Sequence, residues 1–119
     1  MTGEAPTGPD AVRIVRLRRE REGEDWRNLW ASLDSEGNLR IQGQDLGPAT
    51  RIVSSDGEYE WVQTIAVGDI ARLVVLLGGA EGDHVLDILE RNFSGDGSYE
   101  LERLLRESDI PVGLWVWSG

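Results

Sequence analysis

Glu58-Tyr59-Glu60-Trp61-Val62-Gln63-Thr64-Ile65, read on through Asp69-Ile70-Ala71-Arg72-Leu73-Val74-Val75-Leu76-Leu77-Gly78-Gly79, holds the change of period on which the fold turns. The first part alternates. Tyr59, Trp61 and Gln63 fall on one side of an extended chain, and Glu58, Glu60 and Val62 on the other, the pattern of a strand. In the second part Ile70, Leu73, Val74 and Leu77 recur at helical spacing, opened by Asp69 and closed by Gly78-Gly79.

Before this junction the pattern is that of strands. Arg27 to Leu33 alternates, with Leu29, Ala31 and Leu33 on one face, and Asn38 to Ile41 alternates again after Asp34-Ser35-Glu36-Gly37. This predicts a β-hairpin. Val12 to Leu17 is rich in β-branched residues and suits a strand, whereas Leu17 to Arg27 fits a strand and a charged helix equally. Gly43, Gly47 and Pro48 predict a loop, and Ser54-Ser55-Asp56-Gly57 a turn before Glu58.

After the junction come helices. Asp83 is placed to cap a second helix with Val85, Leu86, Ile88, Leu89 and Phe93 on its apolar face, ended by Ser94-Gly95-Asp96-Gly97. Ser98 is placed to cap a third through Arg106, with Leu101, Leu104 and Leu105 facing inward. Its capping box is incomplete, because Leu101 stands where Glu or Gln would reach back. Ile110 to Trp117 alternates Trp115 and Trp117 against Leu114 and Val116, a strand whose apolar content predicts a covered position. Strands, then helices, then a returning strand predict an α+β fold, a mostly antiparallel sheet with about three helices packed on one face. No internal repeat is visible. Residues 1–10, with Pro6, Gly8 and Pro9, read as a disordered lead-in, and residues 11–119 as a single α+β domain.

Composition narrows the function classes. With 39% apolar residues, five Trp and no cysteine among 119 residues, the chain needs no disulfide or thiolate-metal staple. The first residues lack a basic start followed by an apolar run, and no stretch approaches the roughly 18 apolar residues of a membrane span, so a cytoplasmic, non-membrane protein is expected. All 12 basic residues are Arg, a bias that reads as GC-rich coding and points to a high-G+C bacterium.

Against them stand 22 acidic residues, a net charge of −10. Residues 1–21 carry five arginines against Glu4, Asp10 and Glu20, which leaves −12 for residues 22–119. Such a body repels phosphate backbones and attracts basic partners, so no nucleic-acid binding is expected. The arginine segment Arg13–Arg21 is offset at once by Glu20, Glu22, Glu24 and Asp25.

Catalytic chemistry is sparse. His84 is the sole histidine, which excludes Cys/His nucleophiles and His-rich metal clusters and leaves His84 as an ordinary surface residue beside Asp83. The acidic turn at Asn92 to Arg103 fails as a calcium loop because Arg103 occupies the position of the bidentate Glu, and the one starting at Asp34 has Leu39 where glycine belongs. Gly43 to Gly47 lacks phosphate-loop spacing. No catalytic, cofactor or metal residues are assigned, and no cofactor is expected.

The five tryptophans are more informative, since Trp serves both in cores and as an interface anchor. Trp61, Trp115 and Trp117 either cover the sheet beneath the helices or form a patch. Trp26 and Trp30 share a strand face with Asn28, which predicts exposure of at least one of them.

In Asp34 to Pro48, Tyr59-Glu60-Trp61 and Tyr99-Glu100-Leu101, the chain resembles small acidic proteins of unknown function from high-G+C bacteria, some of which act as immunity partners of secreted toxins. The resemblance spans residues 28–110 loosely and carries over no functional residues. The leading expectation is an acidic protein-interaction domain, of immunity or antitoxin-like type, binding a basic protein partner through Asp45, Glu58, Glu60, Trp61, Trp115 and Trp117. The alternatives are a small enzyme or small-molecule-binding domain using sheet-borne carboxylates, and a homodimer. A binding protein is favoured over an enzyme.

Overall fold

Alternation in the first half of the chain builds a sheet, and the helical spacing that follows supplies its cover. The computed structural model describes residues 13–47 and 58–118. Its strands are β1 (Ile14–Glu22), β2 (Asp25–Leu33), β3 (Leu39–Leu46), β4 (Glu58–Ile65) and β5 (Gly113–Ser118). They form one antiparallel five-stranded sheet in the order β1-β2-β3-β4-β5. A 3-10 turn at Val67–Asp69 leads into helix α1 (Ile70–Leu76), then α2 (Val85–Asn92) and α3 (Gly97–Glu107), before β5 returns beside β4. The α+β reading holds. Residues 1–10 and the Ser54–Gly57 turn lie outside the described residues.

The register sorts the strands into two faces. Val15, Leu17, Leu29, Ala31, Leu39, Ile41 and Ile65 meet Leu73, Val74, Leu77, Leu86, Ile88, Leu89, Leu101 and Leu105 of the helices in one buried cluster. Each fully buried Leu or Ile there stabilises the fold by about 2 kcal/mol. Strand alternation and the helical stripes therefore meet as one core.

The segment Leu17–Arg27 resolves as strand, turn and strand, with Gly23 at φ 62° in the turn. The pairing slips between Arg16 and Arg18, a bulge that leaves Leu17 and Arg18 both buried. The carbonyl of Leu17 accepts from Gly95 N at 2.7 Å, so the α2–α3 turn closes part of the β1 edge. This break in alternation is what made the segment ambiguous in sequence.

Other expectations need correction. The loop expected from Gly43 is instead strand, because β3 continues to Leu46. A Cβ on Gly43 would lie 2.1 Å from the Trp61 indole, so the glycine is the space that ring occupies. Asp83 does not cap α2; its Oδ2 accepts from Ala80 N at 2.8 Å, and His84 Nδ1 takes the cap by accepting from Leu86 N at 3.2 Å. Helix α3 begins at Gly97, so Ser98 lies inside it, buried, donating to Gly95 O at 2.6 Å. Most consequentially, β5 is an exposed edge strand and not a covered one.

Candidate functional site

On the face away from the helices, cross-strand rows run from β1 to β5. One row is Arg19, Asn28, Gln44, Glu60, Trp117; its neighbour is Arg16, Trp30, Gln42, Val62, Trp115. Glu58 starts a third, opposite Leu46 and Trp26. Gln44 Nε2 donates to Glu58 Oε2 and to Glu60 Oε1, both at 3.2 Å, and so holds the carboxylates side by side. Burial raises the Glu60 carboxyl above its ordinary value, helped by hydrogen bonding to Glu58 and by its charge, against the opposing bond from Gln44. Glu58, Glu60, Trp115 and Trp117 together line a shallow depression of about 420 Å³.

Beside it runs the outer edge of β5. Leu114, Trp115, Val116 and Trp117 are 66%, 54%, 44% and 41% exposed. Among the described residues β5 pairs with β4 alone. The opposite edge is different in kind, since β1 carries Arg16, Arg19 and Arg21 on this face, a bulge, and the Gly95 bond. Charges and bulges are how proteins protect a sheet edge from foreign strands, and β5 has neither. The outer edge of β5 therefore combines large exposed apolar side chains with a backbone left unpaired among the described residues.

The β1–β2 half of the same face is aromatic and basic. Arg16 lies 5.6 Å from the Trp30 ring centroid, and Arg19 and Arg21 lie 5.4 and 5.3 Å from that of Trp26. Trp30 is buried and Trp26 half-buried. Asn28 Nδ2 and Trp30 Nε1 are buried without a hydrogen-bond partner. The face is thus basic at β1 and acidic at β4–β5.

The sequence-derived candidates divide between faces. Glu58, Glu60, Trp115 and Trp117 come together, whereas Asp45 and Trp61 lie on the helix side. Trp61 packs over Gly43 against the core, 5.8 Å from the Tyr59 ring, and with Gln63, Leu105 and Leu114 borders a separate depression beneath α3. Asp45 pairs across the strands with Arg27 and Tyr59. Burial raises its carboxyl and Glu102 adds to this, opposed by Arg27 and Arg18.

Arg18, which sequence reasoning did not single out, organises this helix-side polar group. It is 4% exposed, donates through Nε to Ser98 Oγ at 2.8 Å and through a terminal nitrogen to Glu102 Oε1 at 2.5 Å, and stacks 3.7 Å from the centroid of Tyr99. Tyr99 in turn donates to Glu20. The signal available in the sequence was the doubled inward step Leu17-Arg18, legible only once the bulge is known.

A groove of about 730 Å³ lies between the β2–β3 turn, α1 and the loop before α2, walled by Leu33, Ile70, Val74, Val75 and Val85. At its end the Asp83 carboxylate and His84 Nδ1 accept hydrogen bonds from the backbone amides of Ala80 and Leu86. Among the described residues no group of three or more His, Cys, Asp or Glu side chains is placed to hold a metal ion, and no helix is long and apolar enough to cross a membrane. No known family, curated protein or solved structure matches the chain.

Proposed function

We propose that this is a protein-interaction domain that receives an extended segment of a basic partner protein along the outer edge of β5, as an inhibitor or immunity-type protein would. The observation that carries the reading is the contrast between the two sheet edges: β1 is guarded by arginines, a bulge and the α2–α3 turn, and β5 is bare, apolar and flanked by Glu58 and Glu60. An added strand gains main-chain hydrogen bonds from such an edge, and pockets for alternate side chains supply selectivity. The net charge of −10 speeds encounter with a basic partner.

The test compares the wild-type chain with a Leu114→Lys/Val116→Lys variant, which places charges on the edge without touching the core. A partner captured from native extracts is expected to be lost by the variant, and hydrogen exchange of the β5 amides should slow in the purified complex. Capture that survives the double substitution, or a complex in which β5 exchanges as fast as in the free chain, would refute the reading.

A further inference from the structure

Each tryptophan on the β1–β2 half of the sheet face away from the helices has an arginine of its own chain over its ring: Arg16 over Trp30, Arg19 and Arg21 over Trp26. Among the described residues no guanidinium lies over Trp115 or Trp117. Those rings are instead exposed and sit beside carboxylates, with Glu60 directly opposite Trp117 in the register. The depression sets an exposed indole and a carboxylate side by side, the two groups that an arginine head engages at once. We infer that the β4–β5 depression is a guanidinium site, which takes an arginine of the partner strand flat against Trp117 with its fork toward Glu60. This rests on the edge-binding reading and specifies what that edge selects.

Geometry supports arginine in particular. A strand added to β5 lies about 4.8 Å beyond it, and β4 the same distance behind, so the cation must cross the Trp117 indole to reach Glu60. A long side chain with a planar head does this while stacking on the ring; a lysine ammonium reaches the carboxylate but gains less from the ring and cannot bond bidentately. Two residues along the same added strand, the side chain falls in the row of Trp115, Val62 and Gln42, where the neighbours are a large indole and a buried valine. The segment selected is therefore an arginine separated by one residue from an apolar residue.

A second copy is the obvious rival source, since Ile14 and Arg16 of β1 have this spacing on the matching face. In the free chain, however, Arg16 already stacks on Trp30, and the Leu17 carbonyl on the β1 edge is taken by Gly95. A foreign strand meets no such competition.

The experiment uses the full chain and capped ten-residue peptides of alternating Thr with a central Arg-Thr-Val, its citrulline analogue and its lysine analogue. Tryptophan fluorescence gives affinity, and amide hydrogen exchange locates the peptide. The arginine peptide is expected to bind at least about tenfold more tightly than the citrulline peptide, with lysine between them. Glu60→Gln should remove that preference, Trp117→Ala should weaken the arginine peptide about tenfold, and Trp117→Phe should retain most of the binding. Equal binding of the arginine and citrulline peptides with β5 protected by both would overturn the guanidinium site and leave edge binding standing. No protection of β5 by any peptide at millimolar concentration would remove both. Sedimentation showing that the chain occupies β5 with its own β1 at micromolar concentration would replace the foreign strand by a second copy.

Discussion

Arg18 shows how one inward cation is tolerated in an apolar setting. Its guanidinium is matched by a hydroxyl, a carboxylate and an aromatic face, which together replace the water it lost. Removing it takes the partner from Glu102 and Ser98 on the inner side of α3, so Arg18→Ala is expected to destabilise the fold by about 3 kcal/mol, the lower end for breaking a buried ion pair because Glu102 still reaches solvent. Urea denaturation would measure this, and a loss below about 1 kcal/mol would mean the network is incidental. Glu60 has the opposite character. Burial and Glu58 raise its carboxyl in the folded chain, so the native state holds the proton more tightly than the unfolded one. Its stabilising contribution is then fully present below the ordinary carboxylate value of 4.5 and is lost as pH climbs through the raised native value. Glu60→Gln should accordingly be as stable as wild type or more so at pH 7, and should flatten the decline above pH 4.5. A variant less stable than wild type at pH 7 would show that the carboxylate contributes net attraction there.

At the level of elements, the pairing of β3 with β4 depends on a missing side chain. Gly43 and Trp61 are register partners, and the indole occupies the volume that a Cβ on Gly43 would need. Gly43→Ala must push Trp61 away from the sheet, which for an overpacked site costs about 1–3 kcal/mol and should also change the near-ultraviolet circular dichroism of the tryptophans. Unchanged stability and spectrum would mean that Trp61 is not held there. The same pair explains what could be read in advance. The alternation of Glu58–Ile65 and the stripe Ile70, Leu73, Val74, Leu77 were enough to assign strand, helix and fold class, because those periods reflect burial on one side. Gly43 was misleading because a glycine that accommodates an aromatic neighbour looks locally like a strand breaker. β5 was misleading for another reason: alternating tryptophans signal large apolar area, but whether other elements cover that area depends on which strand ends at the edge. The pairing of Glu58 and Glu60 on one face was legible from period two alone, whereas their juxtaposition with Trp115 and Trp117 required knowing that β5 returns beside β4.

Across the whole molecule, whose extents are 43 × 29 × 23 Å, the decisive quantity is the distance over which charges are felt. The basic stripe on β1 and the acidic pair on β4 belong to one face, and β1 lies about 19 Å from β5, four strand spacings away. At physiological salt the screening length is about 8 Å, so the two halves act independently and a cationic segment near β5 senses Glu58 and Glu60 but not Arg19 or Arg21. At 10 mM salt the screening length grows to about 30 Å and the face acts as a unit, with the arginines repelling that same segment. Two unit charges about 20 Å apart in water interact by about 0.2 kcal/mol, roughly halved by residual screening at 10 mM. Neutralising both arginines before a peptide of charge +3 therefore lowers the encounter energy by about 0.6 kcal/mol, close to a threefold gain in association rate. Stopped-flow fluorescence with Arg19→Gln/Arg21→Gln should show that acceleration at 10 mM and none at 150 mM, with dissociation unchanged at both. Equal acceleration at both salts would place the arginines in direct contact with the bound segment, and no acceleration at 10 mM would mean that the charge of the whole molecule does not steer its partner.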